Sequence, residues 1–329
     1  VVRTSDKPIP GHGDGTFDAQ ETYAAGDHPW MLEGGDFDED GNGDLAVGNF
    51  VNGANVLMGD GACGFGAPIP VLDDDPLGPH SSGAHTIAVG DLDADGHDDL
   101  VAHATGPGGE TAFFALLFGL GGGAFEPPVT LPVGTSTSDI LLRDLDADGT
   151  LDIVGTTHWL GSGEGAFVHV VRGQGNRSYA PAVGIPIGFA PDGFAIADFD
   201  GDGVLDVVTA GGPSFESSVV SLLRGDGEAG FQAQITFPLG DGDATGIATG
   251  DLDGDGFLDV VVGIGDKNAV AILRGGPGGQ LGPAVKLTTG NNPVGNDRWE
   301  PYYVALGDLD EDGVLDIAAT NFVGKVSLL

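Results

Sequence analysis

Cysteine is nearly absent from this chain of 329 residues: Cys63 stands alone, so no intramolecular disulfide can staple the fold. Basic side chains are scarce too. Eleven lysines and arginines face 50 aspartates and glutamates, a formal charge of −39. Nucleic acid and anionic membrane surfaces repel such a polyanion and are excluded as partners. No run of 18 or more apolar residues exists, so no membrane insertion is predicted. Gly-x-Ser-x-Gly, His-Glu-x-x-His and phosphate-binding loops are missing as well. No leader is visible before Val1, which is how a secreted protein reads once its signal has been removed.

Glycine and acid are what the chain has in quantity. Sixty-one glycines and twenty prolines call for many turns, and 40% apolar residues suffice for a substantial core. The acid is patterned. One nonapeptide with Asp at positions 1, 3, 5 and 9 and Gly at position 6 occurs six times. Loop 1 is Asp36, Asp38, Asp40, Asn42, Asp44 at its odd positions; loop 2 is Asp91, Asp93, Asp95, His97, Asp99. Loop 3 is Asp144, Asp146, Asp148, Thr150, Asp152, and loop 4 is Asp198, Asp200, Asp202, Val204, Asp206. Loop 5 is Asp251, Asp253, Asp255, Phe257, Asp259, and loop 6 is Asp308, Asp310, Asp312, Val314, Asp316.

A hard cation with oxygen ligands explains this spacing. Alternate carboxylates in a tight loop converge on one point, Gly permits the turn, and without a cation they would repel one another. Val and Phe at position 7 carry no side-chain donor, so a backbone carbonyl is the expected ligand there, as in the EF-hand loop. The EF-hand's twelfth-position Glu and flanking helices are lacking. About six structural calcium ions are therefore expected. They account for only part of the acidity, since six dications would still leave a net charge near −27. Loops of this kind fill at extracellular calcium levels, which again favours secretion.

The loops recur every 53 to 57 residues, a period typical of propeller blades. Within one period the pattern predicts four short strands. Strand 1 precedes the loop with large and small residues alternating, as in Thr86–Gly90, although Glu33 and Arg143 interrupt that alternation. Strand 2 follows the loop (Leu45–Val47, Val260–Val262) and strand 3 comes next (Val170–Arg172, Leu222–Arg224, Ile272–Arg274). A glycine-rich turn and strand 4 complete the unit. The chain stops at strand 3 of its sixth repeat, while Gly11–Phe17 and Asp18–Gly26 match the missing turn and fourth strand. The expectation is an all-β fold: one domain over 1–329, a six-bladed propeller whose N-terminal strand completes the last blade and leaves no open edge. Blades are placed at about 27–72, 73–134, 135–188, 189–240, 241–290, and 291–329 plus 1–26.

These residues resemble the FG-GAP/VCBS repeat family of integrin α-subunit propellers and secreted bacterial proteins. Phe65-Gly66-Ala67-Pro68 stands where the family's FG-GAP segment belongs, with variants at Phe125–Pro128, Tyr179–Ala182 and Leu281–Ala284. The resemblance spans the chain and implies a β-propeller with calcium between strands 1 and 2. Integrin-type members form seven-bladed rings, whereas six periods are counted here.

A propeller fold does not specify activity. The calcium loops are nearly identical from repeat to repeat and read as scaffold; the strand 2–3 and 4–1 loops differ and read as the recognition face. They hold all three tryptophans, and Trp30, His85, Asp192 and Tyr302 occupy equivalent repeat positions. The candidate ligand-binding set is Trp30, His85, His158, Trp159, Asp192, Arg298, Trp299 and Tyr302. Aromatic faces beside polar groups suit sugars, although the same aromatics can plug an axial channel. A carbohydrate-binding, lectin-like module is the leading reading, with the partner a carbohydrate or an extracellular protein. An integrin-like adhesion platform is one alternative. The other is a polysaccharide lyase, for which Tyr302 or Tyr303, His85 or His28, and Arg298 could supply the chemistry.

Overall fold

A computed structural model describes residues 22–329 apart from 52, 63, 73–85, 106–111, 135–136, 158–165, 190, 215–216, 290–302, 311 and 322–324. Among the described residues every regular element is a strand, and the 23 strands form six antiparallel sheets. No helix is long and apolar enough to cross a membrane. The first sheet is β1 (Asp27–Gly35), β2 (Asp44–Val51), β3 (Ala54–Leu57) and β4 (Ile69–Leu72). The second is β5 (Ile87–Gly90), β6 (Asp99–Thr105), β7 (Ala112–Leu117) and β8 (Val129–Pro132). The third is β9 (Thr137–Arg143), β10 (Asp152–Thr157), β11 (Phe167–Val171) and β12 (Val183–Pro186). Then come β13 (Pro191–Ala197), β14 (Asp206–Ser214), β15 (Ser217–Leu223), β16 (Ile235–Gly240), and β17 (Ala244–Gly250), β18 (Asp259–Ile264), β19 (Ala269–Leu273), β20 (Val285–Thr288). The last sheet has three strands, β21 (Val304–Gly307), β22 (Asp316–Asn321) and β23 (Lys325–Leu328).

Strand order follows sequence order in each sheet, so every sheet is an up-and-down meander of the kind the repeat predicts. The chain divides into two compact units, 1–157 with 169–184 and 158–168 with 185–329. In the first, β1 lies against β5 and β5 against β9; in the second, β13 lies against β17 and β17 against β21. Apolar residues of neighbouring sheets fill the space between them. Phe37, Val56 and Leu72 pack with Ile87, Leu100 and Leu117, and Val208, Val220 and Leu222 pack with Val260, Val262 and Leu273. β2, β6, β10 and β18 supply fully buried runs because each is covered on both faces, which removes the polar alternation of a half-exposed strand.

The two exceptions in the strand 1 pattern are related. Burial raises the pKa of Glu33 on β1, and the positive charge of Arg143, at the end of β9, offsets part of that rise. Of the N-terminal segment expected to close the last sheet, residues 1–21 lie outside the described residues, and 22–26 form no strand; Tyr23 and Ala25 pack against Val47 and Leu57 of the first sheet.

Candidate functional site

Each acidic loop is a hydrogen-bonded cage before any cation is considered. The first Asp accepts from the amide of Gly at position 6: Asp36 from Gly41 at 3.1 Å, Asp144 from Gly149 at 2.9 Å and Asp308 from Gly313 at 2.8 Å. The fifth-position Asp accepts from the amide at position 7, as Asp95 does from His97 and Asp255 from Phe257, both at 2.9 Å. These short Asx turns require left-handed backbone at two places. The position-6 glycines have φ from 82° to 92°, and position 4 is left-handed even where it is Glu39, Ala94 or Ala147.

The ninth Asp has a second role. It is buried in five loops and each of its oxygens holds one backbone amide. Oδ2 of Asp152 accepts from Leu145 N at 3.0 Å, while Oδ1 accepts from Gly173 N at 2.8 Å, at the end of β11. Asp44, Asp99, Asp206 and Asp259 repeat the pattern with Gly59, Gly119, Gly225 and Gly275. This residue staples the loop to strand 3 of its own sheet. A carboxylate oxygen has two lone pairs, so the staple leaves room for metal coordination.

The carboxylates converge as the spacing requires. Ligand atoms of Asp91, Asp93 and Asp99, of Asp144, Asp146 and Asp152, and of Asp198, Asp200 and Asp206 lie within 4.8 Å of one another. In loops 1 and 5 the converging sets are Asp36, Asp38, Asp40 and Asp251, Asp253, Asp255. Burial, with the neighbouring carboxylates adding, pushes Asp99 and Asp152 up to about 6. Asp251 moves the other way, held down chiefly by the Gly256 amide. Oδ1 of Asp36 and Oδ1 of Asp146 are buried without a hydrogen-bond partner. Orphaned, hard, negatively charged oxygens at the centre of a loop fit a divalent cation.

No arginine was expected at the acidic loops from the sequence, yet four lie on them. Arg172 pairs with Asp146, Arg224 with Asp200, Arg274 with Asp253 and Asp259, and Arg177 with Asp93. Their signal was present as an arginine at the same place after strand 3 in three repeats. His97 of loop 2 also pairs with Glu39 of loop 1, and Oδ2 of Asp98 accepts from Asp36 N at 2.8 Å, so adjacent loops are tied.

At the opposite ends of the first strands of four sheets the structure adds a feature that sequence reading missed. Pro29 pairs with Asn49 and Met31 with Gly48, so Trp30 is an extra residue, a β-bulge. In β13, Pro191 pairs with Gly211 and Gly193 with Ala210, which makes Asp192 the bulged residue. Ser138 is bulged in β9, and Thr245 with Gly246 stands opposite Gly263 in β17. Trp30, Ser138, Asp192 and Thr245 each lie six residues before the first Asp of their loop. A bulge re-aims one side chain out of the strand's alternation and recurs beside functional sites.

Asp192 is exposed, yet its carboxyl is pushed up to about 7 by desolvation, with Asp243 adding. Asp139, next to the bulge in β9, is likewise pushed up to about 7, by burial first and then by Glu33. His85, His158, Trp159, Arg298, Trp299 and Tyr302 lie outside the described residues. Of the groups considered for lyase chemistry, His28 and Tyr303 are described and both are exposed.

Residues 144–209 and 198–262 match the FG-GAP-like repeat, each segment spanning two successive acidic loops. The chain carries FG-GAP-like repeats. Solved structures agree with a propeller-like arrangement of their sheets. An Agrocybe aegerita lectin, described for its recognition of non-reducing terminal N-acetylglucosamine, aligns over 93% of this chain and 81% of its own at 20% identity, with a TM-score of 0.61. A Penicillium chrysogenum α-L-arabinanase, solved with arabinobiose, aligns over 92% of both chains at 13% identity and a TM-score of 0.53. At such identities the likeness is one of fold. No curated protein matches the sequence.

Proposed function

We propose that this chain is a secreted, calcium-stabilised carbohydrate-binding module of FG-GAP-like repeats. About six calcium ions, one per loop, would be held by the aspartates at positions 1, 3, 5 and 9 with the carbonyl of position 7, and would neutralise the crowded carboxylates. The observation that carries the binding assignment is the recurrent bulge. One backbone geometry presents Trp30 and Ser138 in one unit and Asp192 and Thr245 in the other, side chains of the kinds that stack on a sugar ring or bond its hydroxyls. The fold shared with a lectin and an arabinanase supports the same substrate class. Closure into a six-bladed ring by the N-terminal segment beside β23 belongs to this proposal. Its support is the three-stranded last sheet, whose edge strand leaves Val326 and Leu328 59% and 65% exposed.

The test is a glycan array with the calcium-loaded chain, repeated with Trp30→Ala and Asp192→Asn. Loss of glycan binding in both variants, with melting within a few degrees of wild type, supports the reading; undiminished binding in both overturns it. The near-neutral carboxyls of Asp139 and Asp192 favour a second reading, acid–base chemistry on a glycan. New reducing ends would mark hydrolysis and new double-bond absorbance would mark elimination. Calcium-dependent capture of one defined protein, with no glycan bound, would move the assignment to adhesion.

A further inference from the structure

Basic side chains are rare here, and their placement on the acidic loops is not scattered. Arg172, Arg224 and Arg274 stand at one repeat position, directly before Gly173, Gly225 and Gly275, whose amides the ninth Asp holds. From there each guanidinium reaches the third-position Asp of its own loop. Arg172 Nη2 pairs with Asp146, Arg224 Nε lies 3.4 Å from Asp200 Oδ2, and Arg274 Nη1 lies 3.5 Å from Asp253 Oδ2. Arg274 Nη1 also donates to Asp259 Oδ2 at 2.6 Å. The side chains of Asp146, Asp200 and Asp259 are only 3%, 12% and 1% exposed, so each arginine compensates a carboxylate that water scarcely reaches.

The same repeat position holds no charge in the first two sheets. It is Met58 beside loop 1 and Phe118 beside loop 2. Loop 2 is served from a different place: Arg177 in the β11–β12 turn puts Nε 2.5 Å from Asp93 Oδ2, with its guanidinium 4.3 Å from the centre of the Phe118 ring. Among the described residues no lysine or arginine pairs with a loop 1 aspartate.

We propose that Arg172, Arg224 and Arg274 are internal counter-cations: each holds its own loop together without metal and competes with the divalent cation for the third-position aspartate. This rests on the calcium reading above. Guanidinium and dication repel each other and need the same oxygens, so binding the ion displaces the arginine from that carboxylate. The loops then fall into two classes. Loop 1 depends on the cation and binds it tightly, whereas loops 3, 4 and 5 keep their form without it and bind it more weakly.

The experiment uses the full chain, calcium chloride and EDTA. Calcium titration calorimetry and melting in EDTA are compared for wild type, for R172M/R224M/R274M, which installs the residue the chain already uses at position 58, and for Met58→Arg. The triple variant is expected to melt several degrees lower in EDTA and to bind calcium on the order of tenfold more tightly at the weak class. Met58→Arg should weaken the tightest site by a similar factor and raise the melting temperature in EDTA. Unchanged or weakened calcium affinity in the triple variant, or unchanged melting in EDTA, overturns the proposal; should that variant fail to fold, unchanged affinity in Met58→Arg does so. If wild type takes up no calcium, the calcium reading falls by itself, and melting in EDTA still decides whether the arginines stabilise the bare loops.

Discussion

Replacing Ala94 and Ala147 with glycine should stabilise the protein, although neither substitution adds an atom. Both alanines sit at position 4 of their loops with φ of 61° and 57°, in the left-handed region. There an L-residue crowds its own carbonyl at a cost of roughly 1–2 kcal/mol. Glycine escapes that cost but loses about 0.5–1 kcal/mol through the greater freedom of the unfolded chain. The net gain is about 0.5–1 kcal/mol per site. The two loops are separate, so the gains should add to about 1–2 kcal/mol. Loops 4 and 5 show the alternative in place: Gly201 and Gly254 occupy position 4 at φ 79° and 74°, and each amide donates to the first Asp at 2.7 Å.

At about 2–4 °C per kcal/mol, the double variant should melt roughly 2–8 °C higher by calorimetry. Because the strain lies in the backbone, the rise should be equal in calcium and in chelator. Gly256→Ala provides the control of opposite sign. Its added Cβ would meet nothing within 4 Å, so its φ of +89° is the sole source of cost, about 2 kcal/mol. A double variant that melts lower than wild type, or a neutral Gly256→Ala, would refute the assignment of strain to these two positions.

Chelation should lower the melting temperature of the whole protein, since each ion present at ten times its dissociation constant adds about 1.4 kcal/mol; identical melting with and without EDTA would rule calcium out as a stabiliser. Gly275→Ala should cost about 3 kcal/mol in a urea titration, because its Cβ would lie 2.3 Å from the Leu258 carbonyl oxygen; a change below 1 kcal/mol would mean the turn yields freely. Asp139 has a raised pKa, so the folded protein holds that proton more tightly than the unfolded chain. The stability it lends is fully present below about pH 4 and lost as pH rises through about 7. Asp139→Asn should therefore gain about 2 kcal/mol over wild type at pH 8, after allowance for solvent screening, and the gain should shrink toward pH 4; an equal effect at both pH values would contradict the shift.

The loops and strands were readable because their causes are local. Asp at alternate positions, Gly where φ must be positive, and period-2 alternation all act within a few residues. The staple made by the ninth Asp was half readable. Its spacing suggested a ligand, but its partners Gly173 or Gly275 come from a strand that returns later in the chain, and nothing in the nonapeptide names them. Arg172, Arg224 and Arg274 were written into the repeat but looked like the polar ends of apolar strands. The bulges were not readable at all. Trp30, Ser138, Asp192 and Thr245 share no chemistry, and register is a property of two paired strands rather than of one.

That contrast bears on where recognition resides. In the acidic loop both backbone and side chain repeat, because the hydrogen bonds that hold its shape are made by the aspartates themselves; a change of residue there changes the structure. At the bulge the backbone repeats and the side chain does not. Its shape comes from pairing with strand 2, through Asn49 and Gly48 opposite Trp30 or Gly211 and Ala210 opposite Asp192, so one backbone geometry carries different side chains. A position whose geometry is held by its neighbours and whose chemistry can vary is what a binding surface requires. Exchanging the bulged residues, Trp30→Asp with Asp192→Trp, should therefore leave melting within a few degrees of wild type while altering which glycan is bound. Collapse of the fold would show that these side chains are part of the scaffold, and the binding assignment would lose its main support.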